Sequence, residues 1–392
     1  MHHIFWSLII LFLFAVLMQV EWAYYLVYVV GGIWLLSHWS VRRSADKLQI
    51  TRTVPERAFA GQRVEAKVAI ANQSWLPIAW LLLQERVPVE LRDEADYQIV
   101  LSVGSHSQVE HSYSFNCRQR GYFPIGPLSV NSGDLFGFAQ SDWRENEKKY
   151  LLVYPQIVSL SQLGLPSRTP FGQLAAPNRM YEDPARLNGV RLYASGDSLR
   201  RVHWKATAHT NTLLVKKFQP AIALSVVIVL EMNRNHYPIR EVVSGSEWGI
   251  IVTASIANAV CEQRQPVGLI SNGIDVISKS TLTPLQPRNG QEQLVSILTR
   301  LARVQLSNNE GNPSHWLAHP LGELGWGTTL VVVTPQLDED TLWLLHQTYR
   351  RGAEILVLVC AQQTDFILMQ ARARQLGIEA KLTVWERDLK EL

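Results

Sequence analysis

Cysteine is scarce in this sequence, and the few cysteines are widely spaced. The 392 residues include three, Cys117, Cys261 and Cys360, and no two of them form a C-x-x-C pair. A zinc site or a disulfide framework needs closely spaced or paired cysteines. The sequence therefore predicts three free thiols in a reducing compartment and no metal centre built on cysteine.

Motifs of nucleotide and metal chemistry are missing as well. The sequence contains no G-x-x-x-x-G-K-[ST], no H-E-x-x-H, and no G-x-G-x-x-G after a predicted strand. The formal net charge of +3 is small for a chain of this length, so overall electrostatics give no case for nucleic acid. We expect no cofactor and no nucleic-acid partner, and any ATP chemistry has to come from a partner protein.

The first forty residues, in contrast, are strongly apolar. Residues 4–18 and 22–39 are two nearly uninterrupted apolar stretches, with Gln19 and Glu21 between them. Each stretch is close to the lower limit of roughly 17 residues for a membrane span. The pattern predicts a tight transmembrane helical hairpin over residues 1–40, and the alternatives are a signal peptide or one long buried helix.

Basic residues follow the second apolar stretch directly. They are Arg42, Arg43, Lys47 and Arg52. Lys and Arg close to the end of a span favour the cytoplasmic side of a membrane. We therefore expect a multi-pass protein of the inner membrane, with the large C-terminal region in the cytoplasm.

Residues 48–155 show the pattern of β structure. Short runs with partial alternation are separated by Gly, Pro, Asn and Asp. In one run, apolar residues alternate with charged ones, which gives one buried face and one wet face. The apolar positions of that run are Val64, Ala66, Val68 and Ile70. The spacing of the runs predicts an antiparallel β-sandwich of the immunoglobulin type.

Residues 220–392 change to apolar strands that alternate with helical patterns. The strands include IALSVVIVLEM, TTLVVVTP and AEILVLVC. The helical patterns cover residues 247–264, 291–304, 338–351 and 365–376. This alternation predicts an α/β domain whose parallel sheet is covered on both faces. We expect Gly377 to follow the last helix as its C′ glycine, and residues 313–327 to form a packed or binding loop.

Together these patterns predict a multi-domain chain. Residues 1–40 form the transmembrane helical hairpin, residues 48–155 the β-sandwich, and residues 220–392 the α/β domain with its parallel sheet. Residues 156–219 form a connecting segment. This segment contains a polar stretch between two well-patterned regions, RLYASGDSLRRVHWKATAHTNTLLVKKF, which runs from Arg191 to Phe218.

Several segments of the chain resemble one bacterial family. RGYFPIGPLSVNSGDLFGFA, LLVYPQIVSL, GVRLYASGDSLRRVHWKATAHTNTLLVKKF and VGLISNG are similar to the bacterial domain-of-unknown-function 58 family. The pattern of that family runs R-G, then D-P-F-G-L-F, then Y-x-x-G-D-x-x-R-x-x-x-W-K. The resemblance extends from Leu48 onward. The chain departs from the pattern at Leu135, where the family has a turn-stiffening Pro, and at His209, where the family has the fixed cation Arg.

The resemblance implies both an architecture and a role. Members of the family look like membrane-anchored proteins in which a sandwich precedes a von Willebrand A-like domain. Their genes often lie beside those of MoxR-type AAA+ ATPases and transglutaminase-like proteins. The resemblance therefore implies a membrane-anchored adaptor that works with a MoxR-type ATPase in envelope-related assembly or maturation.

One stretch of the α/β domain matches a known metal-site position only in part. A von Willebrand A domain that binds metal carries Asp-x-Ser-x-Ser after its first strand, because a carboxylate and hydroxyls suit Mg²⁺. The corresponding oxygen donors here are Glu231, Asn233 and Asn235, both serines are absent, and Arg234 adds positive charge. We expect these positions to be a metal-free remnant of that site.

The signature segment holds the other candidate residues, and their role stays open. They are Tyr193, Gly196, Asp197, Arg200, Arg201, His203, Trp204 and Lys205. In a structural hypothesis, Asp197 is the N-cap of a short helix that begins near Ser198. In the same hypothesis, Tyr193 and Trp204 are packing anchors at a domain junction. In a second hypothesis, the cations form a surface that docks a partner.

Two further hypotheses concern chemistry and nucleic acid. An enzyme of unknown chemistry would use Asp197, Arg200 and Lys205, although the segment shows no recognisable pair of a nucleophile and a base. Alternation of basic and aromatic residues also occurs in grooves that bind nucleic-acid strands. No second basic patch outside the N-terminal region supports such a groove. The sequence therefore predicts an interaction protein, with the enzyme as the alternative.

Overall fold

The computed structural model of the chain shows two compact units, residues 1–156 and 157–392. The described residues are 2–19, 21–91, 97–145, 148–159, 181–194, 202–221, 225–308, 313–325, 327–386 and 388. The finer division into residues 1–40, 48–155, 156–219 and 220–392 stays a prediction.

Two helices begin the first unit, α1 (His2–Met18) and α2 (Glu21–Ala45). Neither of them, nor any other helix among the described residues, combines the length and apolarity that crossing a bilayer demands. The 17 residues of α1 lie at the lower limit for a span, roughly 17 to 25 residues. The C-terminal third of α2 is rich in Ser, His and Arg. The predictions of a transmembrane hairpin and of a multi-pass inner-membrane protein are therefore wrong.

Strands form most of the remaining first unit. They are β1 (Leu48–Thr53), β2 (Arg57–Phe59), β3 (Arg63–Asn72), β4 (Ile78–Glu85), β5 (Tyr97–Val103), β6 (Gln108–Asn116), β7 (Gly121–Ile125), β8 (Leu128–Gly133), β9 (Gln140–Glu145) and β10 (Lys149–Tyr154). Their sheets are small, with strand orders β1-β3-β6, β2-β10-β7 and β5-β4-β8-β9. The predicted antiparallel sandwich of the immunoglobulin type has two sheets. This prediction is wrong, because the strands form three sheets and the three-residue β2 pairs parallel with β10.

Alternation along β3 places its apolar residues in the core of the first unit. Val64, Ala66, Val68 and Ile70 are buried, as the sequence predicts. They share a hydrophobic cluster with buried residues of β4, β6, β8 and β10. Strands of different small sheets therefore contribute to one core.

The second unit begins with an antiparallel pair and continues as an α/β region. Its strands are β11 (Tyr181–Leu192), β12 (Leu214–Ala221), β13 (Val226–Leu230), β14 (Val267–Ser271), β15 (Ile274–Asp275), β16 (Leu285–Arg288), β17 (Val304–Gln305), β18 (Thr329–Thr334), β19 (Glu354–Val359) and β20 (Glu379–Leu382). Its helices are α3 (Trp204–Thr210), α4 (Val242–Glu262), α5 (Gln291–Arg303), α6 (Pro313–Gly322), α7 (Glu339–Arg350) and α8 (Phe366–Gln375).

The helical patterns predicted for the α/β region correspond to α4, α5, α7 and α8. Helix α6 lies where the sequence predicts a loop, and Pro320 lies inside this helix. Proline and glycine are strong signals of loops, so the sequence around α6 predicts a loop although the segment is helical.

The main sheet of the second unit has the strand order β16-β14-β13-β18-β19-β20. All neighbouring strands are parallel except β16, which pairs antiparallel with β14. Strands β13, β14 and β18 are buried along their whole length. In the sheet, β14 lies on one side of β13 and β18 lies on the other. The direction in which strands are added therefore reverses between β13 and β18. In open α/β sheets, ligands bind outside the carboxyl ends of the strands at such a switch point.

Candidate functional site

The signature segment lies at one end of the β11–β12 pair. Strand β12 pairs with β11 in an antiparallel register that places Val215 opposite Arg191. Val215 also forms an isolated bridge with Val202. The backbone nitrogen of His203 donates to the carbonyl of Leu214 at 2.8 Å. The chain on the N-terminal side of α3 is therefore attached to β12 by backbone contacts.

Helix α3 is held at both of its ends. The N-cap is His203, whose Nδ1 accepts a hydrogen bond from the backbone nitrogen of Ala206 at 3.1 Å. In the middle of the helix, the Thr207 hydroxyl accepts from the backbone nitrogen of Leu214 at 3.1 Å. The C-cap is Asn211 in the left-handed conformation, which Asn tolerates better than most residues. These contacts fix α3 on the start of β12.

The aromatic residues of the segment are exposed. The relative exposure of Trp204 is 68% and that of Tyr193 is 37%. Lys205 and Leu213 are exposed as well. Neither ring is buried within the described structure, and the role of Tyr193 and Trp204 as packing anchors at a domain junction stays a prediction. We call the four exposed residues Tyr193, Trp204, Lys205 and Leu213 the signature surface.

Four predicted site residues, Gly196, Asp197, Arg200 and Arg201, lie outside the described residues. The predicted helix near Ser198 lies there too, whereas the described helix α3 begins at Trp204. Of the residues assigned to the enzymatic alternative, Lys205 alone is described. Its side chain is exposed.

The candidate metal-site positions lie at the carboxyl end of β13. Glu231 is 4% exposed. Its Oε2 accepts a hydrogen bond from the Thr334 hydroxyl at 2.6 Å, and its Oε1 pairs with His236 Nδ1. Because β13 and β18 flank the switch point of the sheet, the contact between Glu231 and Thr334 lies at this point.

Neighbouring polar groups are engaged in the same way. Asn233 Oδ1 accepts from the backbone nitrogen of Asn235 at 3.2 Å, and Asn233 Nδ2 lies 3.3 Å from His236 Nε2. The side chain of Asn235 is exposed. Among the described residues, no group of three or more His, Cys, Asp or Glu side chains could hold a metal ion. The absence of Mg²⁺ binding stays a prediction.

The polar groups around Glu231 form hydrogen bonds with one another, and these contacts and burial shift the pKa values of several of them. The hydrogen bond to Glu231 raises the pKa of His236 above its ordinary value, against the opposing effect of burial. The Tyr237 hydroxyl donates to the carbonyl of Glu231 at 2.8 Å. Burial raises the pKa of the neighbouring Cys360 thiol to about 12. This thiol is protonated at neutral pH and is therefore a poor nucleophile.

Sequence reasoning misses the partners of Glu231. His236 is five residues away, a spacing that belongs to neither helix nor strand periodicity. Thr334 is 103 residues away. The one available signal is the order of the strands, because residues that follow β13 and β18 must meet once these strands are adjacent.

Comparisons with known proteins identify the family of the signature region. The model of the family described as "Protein of unknown function DUF58" matches residues 189–365. The chain therefore carries a DUF58 domain over these residues, which confirms the resemblance predicted from the sequence. It is also similar to "Uncharacterized protein YeaD" of Bacillus subtilis (strain 168), with 24% identity over 347 residues, 87% of this chain and 80% of that protein.

Two of the solved structures that resemble this chain match parts of it. The CARDB domain of a Pyrococcus furiosus protein, in complex with di-metal ions, aligns with 28% of this chain and 94% of its own at 12% identity and a TM-score of 0.22. Native alpha-2-macroglobulin of Escherichia coli aligns with 28% of this chain and 17% of its own at 13% identity and a TM-score of 0.25. Such low scores give the von Willebrand A-like assignment no support.

Proposed function

We propose that this chain is an interaction protein whose signature surface docks a partner, and that this partner is an AAA+ ATPase of the MoxR type. The observation that carries the proposal is the 68% exposure of Trp204 on a helix that is held at both ends. The identity of the partner rests on the family resemblance. The chain has no nucleotide-binding motif of its own, so the partner supplies any ATP hydrolysis.

Exposed tryptophan is well suited to anchor a partner. Trp, Tyr and Arg dominate the energetics of protein interfaces, because large rigid side chains fill pockets with little loss of conformational entropy. Trp204 and Tyr193 supply two such side chains. The caps on α3 hold Trp204 in place before binding, which reduces the entropic cost of association.

Charge defines the kind of surface that would face α3. Lys205 follows Trp204 directly and forms no ion pair with any described residue. A carboxylate on the partner would pair with Lys205 at the edge of the interface and would speed association more than it adds affinity. We therefore expect an apolar pocket with an acidic rim on the ATPase.

Affinity capture tests this proposal. The full chain and its Trp204→Ala, Lys205→Ala and Trp343→Ala variants are expressed with a tag, and the captured proteins are identified by mass spectrometry. Trp343 is a matched control, because it is also a tryptophan of the second unit with 61% exposure. We expect the ATPase with the wild-type chain and with Trp343→Ala, less of it with Lys205→Ala, and none with Trp204→Ala. Equal recovery with Trp204→Ala would refute the proposed surface.

A further inference from the structure

Helix α2 of the first unit has one side that packs against its own chain. Ala23, Ser37 and Ser44 are buried, and the ring of Trp34 contacts that of Phe5 in α1, with 6.2 Å between the centroids. Because a helix makes one turn in about 3.6 residues, these four α2 residues lie on one side of the helix.

The opposite side of α2 carries large apolar side chains at the surface. Residues three or four positions apart share a helical face, and one such series is Glu21, Tyr25, Tyr28, Gly32, Leu36, Trp39 and Arg43. We call these seven residues the open face of α2. Its four apolar side chains are between 49% and 70% exposed. An aromatic side chain has roughly 150–250 Å² to bury, so the three rings alone expose a few hundred Å², an area that marks an interaction surface.

The open face is symmetric about Gly32. Large apolar residues lie four and seven positions to either side of Gly32, and they are Tyr28, Leu36, Tyr25 and Trp39. Eleven positions away the charges are opposite, with Glu21 on one side and Arg43 on the other. In an antiparallel pair of identical helices with a twofold axis at Gly32, each residue meets the residue at the same distance on the other side of the axis. Apolar side chains then meet apolar side chains, and each Glu21 meets an Arg43.

The charges at the two ends of the open face identify what covers it. Glu21 lies in the first turn of α2 and Arg43 in the last, and neither belongs to an ion pair with a described residue. An antiparallel second copy of α2 supplies the complementary charge at both ends at once. An uncharged apolar ligand supplies it at neither end. Charges at the edge of a helix pair set its partner and orientation, so this arrangement favours a second copy of the chain.

Gly32 lies where the two helices would be closest. An added Cβ at this position meets no neighbouring atom within 4 Å, so packing within the first unit does not require a glycine. Glycine also destabilises the interior of a helix relative to alanine. The distance between packed helices depends on the size of the side chains at their contact. Close approach of a second α2 is therefore a physical reason for glycine at this position.

We propose that this protein forms a twofold-symmetric dimer through the open face of α2. The α2 helices of the two copies pack antiparallel with Gly32 at the axis. Across the interface, Tyr25 packs against Trp39 and Tyr28 against Leu36, and Glu21 pairs with Arg43 at both ends. This surface belongs to the first unit, so the inference is independent of the proposed partner of the signature surface.

Sedimentation equilibrium of the full chain at physiological ionic strength measures the dissociation constant of the dimer. We expect Glu21→Arg and Arg43→Glu each to weaken the dimer by about tenfold, because each variant places like charges opposite one another at both ends of the interface. The combined variant Glu21→Arg/Arg43→Glu restores opposite charges and should bind within about threefold of wild type. Arg42→Glu is the control, because Arg42 is an exposed cation next to the open face, where salt screens its charge.

Cysteine cross-linking tests the position of the axis. A residue meets its own copy only at the twofold axis, so Gly32→Cys should form a disulfide between two chains under mild oxidation. Gly31→Cys is the matched control, because Gly31 lines the groove between α1 and α2 and should cross-link much less. Both variants carry Cys261→Ser, because Cys117 and Cys360 are buried and Cys261 is only partly so.

Circular dichroism establishes that each variant is folded, and cross-linking remains informative if a charge variant is not. The proposal is overturned if the wild-type chain is monomeric, if the combined charge variant binds as weakly as the single variants, or if Gly31→Cys cross-links as readily as Gly32→Cys. A monomeric chain that binds phosphatidylcholine vesicles equally with and without Glu21→Arg would assign the open face to lipid and would also overturn it.

Discussion

His236 and Glu231 form a partly buried pair, and the charge state of this pair links stability to pH. The hydrogen bond from His236 to Glu231 raises the pKa of the imidazole in the folded state, and burial of the ring opposes this only in part. The unfolded chain has the ordinary histidine pKa of about 6.5. Between these two values, the folded state binds more protons than the unfolded state.

The sign of the pH effect follows from this difference. The stabilisation is fully present below a pH of about 6.5 and is lost as the pH rises through the raised pKa of the folded state. We expect the free energy of unfolding of the wild-type chain to exceed that of His236→Asn most at about pH 6, and the difference to shrink toward about pH 9. Urea unfolding over this range measures it. A difference that is constant or grows with pH would contradict the assigned pair.

Sequence reasoning reached Glu231 and Asn233 as positions but did not find what they contact. The positions follow from the end of an apolar strand, which periodicity identifies well. The contacts depend on which strand lies beside β13, and Thr334 reaches Glu231 only because β18 takes that place. A network of this kind is fixed by topology and not by local pattern.

At the level of elements, a buried ion pair joins β1 to β4 in the first unit. The side chains of Arg52 and Glu85 are fully buried and paired with each other. The Tyr113 hydroxyl donates to the second oxygen of Glu85. Arg52 Nε also pairs with Glu145 Oε2 at 3.0 Å, so removal of the Glu85 charge leaves Arg52 with one of its two carboxylate partners.

We therefore expect Glu85→Gln to lower the free energy of unfolding by about 1–3 kcal/mol, the cost of buried polar groups that lose hydrogen-bond partners. The matched control is Glu110→Gln, which breaks the pair between Lys67 on β3 and Glu110 on β6. Their side chains are 55% and 59% exposed at a distance of 3.7 Å, and an exposed pair contributes less than about 1 kcal/mol. Urea unfolding of both variants checks the contrast, and similar losses would show that the pair in the core is not the cause.

The end of α8 offers a prediction at a single glycine. Gly377 follows the helix with a φ of +78°, and an added Cβ would lie 2.7 Å from the ring of Tyr349. Gly377→Ala should cost more than about 1 kcal/mol, because the left-handed conformation and the close ring both oppose a side chain. Gly322→Ala is the control, because a Cβ there meets no atom within 4 Å. Thermal unfolding measures both, and an unchanged Gly377→Ala protein would contradict the expectation.

Elements with a strong internal pattern were predictable. The alternation of β3, the four helices of the α/β region and the C′ glycine Gly377 all follow from local periodicity and capping. The N-terminal region shows the limit of this reasoning, because apolar composition predicted spans where the length and polarity of α1 and α2 do not support them. Proline and glycine residues likewise predicted a loop where the structure has helix α6.

At the scale of the whole molecule, the proposed docking of a partner depends on the signature surface. The sequence identified the segment and the family, and residues 189–365 carry the DUF58 domain. It could not decide whether Trp204 is buried or exposed, because one aromatic residue on a seven-residue helix has no periodicity to read. The exposure of this ring favours docking over packing.

The dissociation constant of the purified chain with the captured ATPase measures how much Trp204 contributes to docking. It should be measured for wild type, Trp204→Ala and Trp343→Ala, together with the thermal unfolding of each. We expect Trp204→Ala to weaken binding by about thirtyfold or more, the effect of losing an interface hot spot of about 2 kcal/mol. Its stability should change by less than about 0.5 kcal/mol, as for other exposed positions, and Trp343→Ala should bind as wild type does. If Trp204→Ala binds within about twofold of wild type, or unfolds much more easily, then Trp204 does not anchor a partner and the account is contradicted.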